Sequence, residues 1–248
     1  LREPLVVRLQ QSWRGVLASV LLLVAALWAL QQWGLPVAAR VVTQALPHSV
    51  DAALGDVALQ AVDQQLMAPS QLPAQEQARI RSAFTQAVNH LPAGAVPPWN
   101  LVFRASRIGP NALALPGGTL VMTDELVALV DGNTDVLTAV LAHELGHLQH
   151  RHGLRMLVQV TLLGTLTSVL LGDFSTVLAG GAALVGQAHY SRNAEREADA
   201  AAVRVLRAAR ISPAAMVTLF DKMAEKRSTS AAHNAQPPGG GTRDWLGI

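Results

Sequence analysis

Apolar positions along this chain follow several different spacings. From Val16 to Trp33 the run VLASVLLLVAALWALQQW carries no charge over about 18 residues, near the lower limit for a membrane-spanning helix. Trp13, Trp28 and Trp33 sit near its ends, where indole rings favour the lipid headgroups. Arg2, Arg8 and Arg14 precede it and only Arg40 follows closely, so the short N-terminus (1–15) is expected in the cytoplasm and the rest outside. In a Gram-negative cell that means a single-pass inner-membrane protein with its main domain in the periplasm. An uncleaved anchor over 16–33 is favoured over a signal peptide, because the run is long and no small-x-small site directly follows. The chain begins at Leu1 rather than Met, so a start further upstream is expected.

Between Leu46 and Leu91 the spacing is helical, and Pro69, Pro73 and the Ser-Gln-Leu-Pro break separate two helices, the second over Gln75 to His90. A Pro/Gly loop over Ala93 to Pro98 leads to a short strand from Trp99 to Arg104. A second strand, Thr119 to Thr123, is reached through Asn111 to Gly118, and its Pro116-Gly117-Gly118 turn predicts a hairpin or edge-strand kink where backbone approaches a ligand. Asn133, Thr134 and Asp135 signal a helix start, with the periodic helix running from Val136 to about His152 and ending near Gly153. Leu154 to Ala188 is strongly apolar, broken by Asp173 and Gly180-Gly181. A helix then begins near Ser191, carries Glu195, Glu197 and Asp199, and runs to about Arg210. Ser212-Pro213 starts another to Lys226, and Ser228 to Ile248 reads as a flexible tail.

With 50% hydrophobic and 15% charged residues, one substantial core is affordable, and some apolar surface is left over for lipid. Aromatic residues are only 4%, so the core is built from Ala, Leu and Val and helices dominate. The charge of +2 and the pI near 9.7 come from scattered arginines without aromatic interleaving, so nucleic acid is not an expected partner. The lack of cysteine excludes disulfides, thiol catalysis and thiolate metal sites.

The chemistry lies in His143-Glu144-Leu145-Gly146-His147. Two histidines four residues apart on a helix share a face and can reach one metal ion. Glu144 then flanks a metal-activated water as general base without taking a coordination position. A catalytic zinc needs three protein ligands and an open position. Glu195 and Asp199, again one turn apart, offer one carboxylate for the metal and one to orient a ligand histidine. Glu197 reads as a solvated charge. His150 and His152 read as solvent-facing or helix-terminal, and His189 and Tyr190 as weak candidates for stabilising an oxyanion. His48, His90 and His233 have no supporting neighbours.

Together these residues resemble the membrane-associated zinc endopeptidases of the gluzincin type, the family that includes HtpX, BepA and the CAAX prenyl proteases. Three blocks carry the resemblance: Asn111 to Gly118; His143 to His147 with Arg151-His152; and Tyr190-Ser191-Arg192 followed by Glu195 and Asp199. It implies one Zn2+ per chain held by His143, His147 and Glu195, with Asp199 behind them. It also implies a strand, with Asn111, Ala112, Leu113 and Ala114, that pairs with substrate backbone. Two departures stand out: a Ser/Thr-His-Pro segment of many relatives is missing before Ile248, as though the chain were truncated, and the insert over 154–188 is short for two crossings. A pair of membrane-facing or site-covering helices is preferred there.

The expectation is a mainly α (α+β) zincin-like fold with a small sheet, its protease domain spanning 46–227. It would hydrolyse polypeptides, misfolded or membrane-associated, in envelope quality control, in contact with membrane lipid. The rivals are a latent zinc-binding chaperone or scaffold, and a structural membrane protein with a coincidental motif.

Overall fold

The computed structural model describes residues 13–171 and 190–234. A long N-terminal helix opens it. Helix α1 (Trp13–Ala29) passes through one π-helical turn at Leu30–Gly34 into α2 (Leu35–Ala45) without leaving the helical path. The wide turn lies just before Pro36, whose missing N–H and ring would otherwise break a regular helix. None of the α1 side chains is buried, whereas α2 buries Ala39 and Thr43, one turn apart. The helix therefore outruns the expected 16–33 span by more than two turns, because Leu35–Ala45 is amphipathic and packs on the protein.

Helix α3 (His48–Gln65) buries Asp51, Gly55, Ala58 and Val62, a stripe at spacings of four and three. A short strand β1 (Met67–Pro69), not foreseen in the sequence, leads to α4 (Ala74–Asn89), which turns Ile80, Phe84, Ala87 and Val88 inward. Strands β2 (Asn100–Ser106), β3 (Ala112–Leu115) and β4 (Thr119–Thr123) complete a mixed sheet of order β1-β2-β4-β3. Strand β4 runs parallel to β2 and antiparallel to β3, with Leu113 opposite Val121. Its Leu120, Val121 and Met122 are fully buried because helices cover both faces. Leu120 and Met122 join the main core with Phe84, Leu137 and Leu141, and Val121 meets Ala58 and Leu115 on the other side. β3 is the sheet edge, as expected.

A one-and-a-half-turn helix α5 (Asp124–Leu129), also unforeseen, is capped by Thr123, whose Oγ1 accepts from Leu126 N–H. Helix α6 (Thr134–Gln149) starts where Asn133 predicts, its Oδ1 accepting the N–H groups of Asp135 and Val136. It stops earlier than expected, at Gln149 rather than near Gly153. Arg151 takes a left-handed φ of 52° and breaks the path, and α7 (His152–Leu171) sets off in a new direction with Gly153 inside it. Helix α8 (Arg192–Ala208) is capped by Ser191 and buries Ala198, Ala201, Ala202, Val205 and Leu206. Helix α9 (Ala215–Asn234) continues beyond Lys226, so the start of the expected tail is helical. The second half of the insert, Phe174 to Ala188, and the rest of the tail lie outside the described residues.

Helices α6 and α8 cross at Gly146. A Cβ there would lie 2.7 Å from the Ala198 Cα and 2.8 Å from its carbonyl oxygen, so glycine is what lets the two backbones touch. With Ala198 and Ala201 opposite, the crossing holds Glu195 and Asp199 over His143 and His147.

Candidate metal centre

His143 and His147 project from one face of α6, and Glu195 reaches them from the first turn of α8. His143 Nε2 lies 3.1 Å from His147 Nε2 and 3.4 Å from Glu195 Oε2, and His147 Nε2 lies 3.8 Å from Glu195 Oε1. Donor atoms at about 2.0–2.2 Å from a tetrahedral ion are about 3.3–3.6 Å apart, so the two ring nitrogens and the Glu195 carboxylate, which meets each ring through a different oxygen, are spaced to share one cation.

The hydrogen bonds behind them support the same fit. His143 Nδ1 is 2.9 Å from Asp199 Oδ1, and an ionised carboxylate only accepts, so His143 carries its proton there and presents a lone pair at Nε2. His147 Nδ1 is likewise engaged, 2.9 Å from His152 Nδ1. Two imidazole nitrogens facing each other across 3.1 Å, each with its other nitrogen occupied, are the donor set of a cation site. Burial, reinforced by the positive charge that His143, His152 and His150 would carry, lowers the His147 pKa to about 3, which keeps the ring neutral and able to coordinate.

Glu144 sits between this cluster and the sheet edge. Burial and the neighbouring Glu195 carboxylate push its carboxyl up to about 8 in the metal-free protein, against the pull of the Ala114 N–H that bonds it. The Ala114 contact follows from the strand register. Asn111 O accepts from Thr123 N–H, so in antiparallel alternation Leu113 and Leu115 turn their backbone groups to β4 while Ala112 and Ala114 turn theirs outward. Ala112 N–H is taken by Asn111 Oδ1 at 3.0 Å, leaving the Ala112 and Ala114 carbonyls facing out from the edge. Asn111 thus fastens the strand end rather than facing away from it. A cavity of about 840 Å3 opens between this edge and α6, its wall including Leu91, Val96, Pro97, Ala114 and His147.

Tyr190 stacks on the His147 ring, with centroids 4.1 Å apart and planes 21° from parallel. Burial, with Glu144 and Glu195 nearby, raises its pKa, so the phenol keeps its proton and can donate. The companion candidate His189 lies outside the described residues.

Two expectations are overturned. His152 is not solvent-facing: it is 2% exposed and packs behind His147. Glu197 is not a solvated charge: its Oε2 lies 2.9 Å from His152 Nε2 and 3.2 Å from Arg155 Nη1, and its Oε1 is 3.9 Å from Arg40 Nη2. Periodicity hid both. Counting His152 as a continuation of α6 points it elsewhere, and only the break at Arg151 turns it back. The available signal was the Arg151-His152 pair itself, already part of the family resemblance. His150, by contrast, is partly exposed, 3.9 Å from Glu197.

Comparison with known proteins places the chain among peptidases. The model of peptidase family M48 matches residues 74–240, which include every residue of the cluster. The β-barrel assembly-enhancing protease of Escherichia coli K12 is 31% identical over 142 residues, covering 52% of this chain and 28% of the relative. Its counterpart in Yersinia pestis is 32% identical over 131 residues, 47% of this chain and 26% of the relative. The mitochondrial metalloendopeptidase OMA1 of Schizosaccharomyces pombe is 32% identical over 120 residues, 46% of this chain and 34% of the relative. The matched segments therefore span about a third or less of each relative's length.

Proposed function

This chain belongs to peptidase family M48, and from that premise we propose that it is a membrane-anchored zinc endopeptidase whose metal is held by His143, His147 and Glu195. The observation that carries the proposal is the convergence of two imidazole nitrogens and the Glu195 carboxylate, with contacts of 3.1–3.8 Å, beside the half-buried Glu144. Zinc is preferred because two imidazoles and one carboxylate would supply it with three protein ligands, the usual complement of its catalytic sites. When bound, the cation supplies Lewis acidity, polarising a peptide carbonyl and acidifying water.

The chain's own groups divide the remaining work. The outward carbonyls of Ala112 and Ala114 accept substrate N–H groups, so an extended polypeptide from Asn111 to Ala114 joins the sheet as an added strand, next to Glu144. Glu144 Oε takes a proton from the attacking water and delivers it to the leaving amine nitrogen. A cation held by the three ligands would lower the raised pKa of Glu144, making its carboxylate available near neutral pH. Asp199 holds the His143 ring with Nε2 turned to the site. Tyr190 O–H donates to the developing oxyanion. The apolar cavity wall beside Ala114 favours an apolar substrate side chain.

Among the described residues, one helix, Trp13–Ala45, is long and apolar enough to cross a membrane. We assign it as the anchor, with the catalytic domain in the periplasm, acting on misfolded or membrane-associated polypeptides at the envelope. A relative named for β-barrel assembly agrees with that setting.

The test is zinc content and casein cleavage for wild type, Glu144→Gln and Glu195→Ala. Glu144→Gln should keep zinc and lose at least about a hundredfold in turnover, and Glu195→Ala should lose both. Wild type with one zinc and no cleavage would favour the latent chaperone or scaffold instead, and wild type without zinc would overturn the ligand assignment.

A further inference from the structure

The buried contacts behind His147 belong to neither the expected ligand set nor the general base. His147 Nδ1, His152 Nδ1, His152 Nε2 and Glu197 Oε2 form a chain of two 2.9 Å contacts, and both histidine rings are almost wholly buried. Donor and acceptor logic fixes the protons along it. Glu197, ionised beside Arg155, can only accept, so His152 carries its proton on Nε2 and has a lone pair at Nδ1. That lone pair accepts from His147 Nδ1–H. His147 Nε2 is then left unprotonated on the side where His143 and Glu195 converge. With a neutral His152, the opposite arrangement would set two lone pairs against each other at one of the 2.9 Å contacts.

A competing use of the same residues is a second cation site, since His150, His152 and Glu197 place one ligand atom each within 4.8 Å of one another. The surroundings argue against it. Arg155 Nη1 is 3.2 Å from one Glu197 oxygen and Arg40 Nη2 is 3.9 Å from the other, so a cation there would face two guanidinium groups. Both nitrogens of His152 are also already engaged.

We infer that Glu197 and His152 are positioning residues for the metal centre, a two-member hydrogen-bond relay that holds His147 in the tautomer and orientation needed to coordinate. This rests on the ligand assignment proposed above. It gives the centre two supports from α8: Asp199 orients His143 directly, and Glu197, two residues earlier, orients His147 through His152. The break at Arg151 is what brings His152 into line, and Arg155, 3.2 Å from Oε2, together with Arg40, 3.9 Å from Oε1, holds the Glu197 carboxylate in place.

The test uses the full chain in detergent and reads metal binding rather than turnover. Zn2+ affinity is measured against a competing chelator, and the visible absorption of the Co2+-loaded protein reports the ligand field. Glu197→Ala and His152→Leu should each weaken Zn2+ binding about 10- to 100-fold and shift the Co2+ bands. His152→Asn places an amide oxygen where the ring nitrogen accepts, so it should recover most of the affinity lost in His152→Leu. A control variant, Asp63→Ala, removes the distant Arg104 ion pair and should leave affinity and spectrum unchanged. Wild-type affinity and spectrum in Glu197→Ala, which alters a partly exposed side chain and should fold, would overturn the relay. So would a folded His152→Asn that binds no better than His152→Leu, because packing alone would then account for His152. A wild-type chain that binds neither Zn2+ nor Co2+ would instead overturn the ligand assignment itself.

Discussion

At the scale of single residues, burial sets the protonation states that the site needs. In the metal-free protein the burial of His147 and His152 lowers their pKa values, His147 to about 3, so on acidification the unfolded chain takes up protons there first. Those two groups make stability fall as pH drops below about 6.5. Glu144 has the opposite sign: its folded pKa near 8 exceeds the unfolded value of 4.5, so its contribution is full below about 4.5 and is lost as pH rises toward 8. Between about 4.5 and 6.5 His147 offsets Glu144, and the lowered pKa of His152 tips the balance toward losing stability on acidification. Denaturant unfolding of the metal-free protein should therefore show greatest stability near pH 6.5, and Glu144→Gln should flatten the decline above it. A simpler residue-scale case is Thr43, whose buried hydroxyl has no hydrogen-bond partner among the described residues. Thr43→Val keeps the shape and removes the unpaired group, so it should raise stability by about 1 kcal/mol in a denaturant titration.

Among the elements, two junctions decide whether the site exists. The first is the α6–α8 crossing. Gly146→Ala puts a methyl group against the Ala198 backbone, where no flexible side chain can yield, so the helices must separate. The expected cost is about 1–3 kcal/mol of stability, together with weaker zinc binding as Glu195 is carried away from the histidines. Unfolding curves and chelator competition would separate the two effects. The second is Arg151, between α6 and α7. Its guanidinium bonds the buried Asp51 through both oxygens and caps the last turn of α2 through the carbonyls of Thr43 at 2.6 Å and Leu46 at 3.1 Å. Arg151→Ala leaves the buried Asp51 with only the exposed His48 at 3.8 Å and should cost about 3 kcal/mol. A drop in melting temperature of less than a degree would show that the junction does not depend on this arginine.

For the whole molecule, the arrangement ties the candidate metal centre to the long apolar N-terminal helix. Helix α7 leaves the site alongside α2, which continues the apolar helix α1, so the candidate metal cluster sits where the proposed anchor meets the folded domain. The proposed anchor would then bring the site to polypeptides near the bilayer surface. The lack of cysteine makes the proposed topology directly readable. A single cysteine at Ser228, on exposed α9, should react with a membrane-impermeant maleimide in cells with a permeabilised outer membrane, whereas one at Ser12 should react only after lysis. The reverse labelling pattern would place the catalytic domain in the cytoplasm.

The sequence by itself determined the helical class, the turn at Pro116–Gly118 with the strand after it, and the starts of α6 and α8, because each depends on local chemistry: caps, turn residues and periodicity over a few turns; the edge strand before that turn was implied by the family resemblance. It also marked His143, Glu144, His147, Glu195 and Asp199 as candidates, since their spacing of one helical turn is visible along the chain. Strand β1 stayed hidden because three residues carry no periodicity, and its strand character comes only from pairing with β2. The extension of the first helix to Ala45 depended on α2 finding α7 to pack against. The support behind His147 was decided by tertiary structure alone. The left-handed turn at Arg151 is held by Asp51 and by the end of α2, about a hundred residues earlier, and without that turn nothing local brings His152 to His147 or Glu197 to His152.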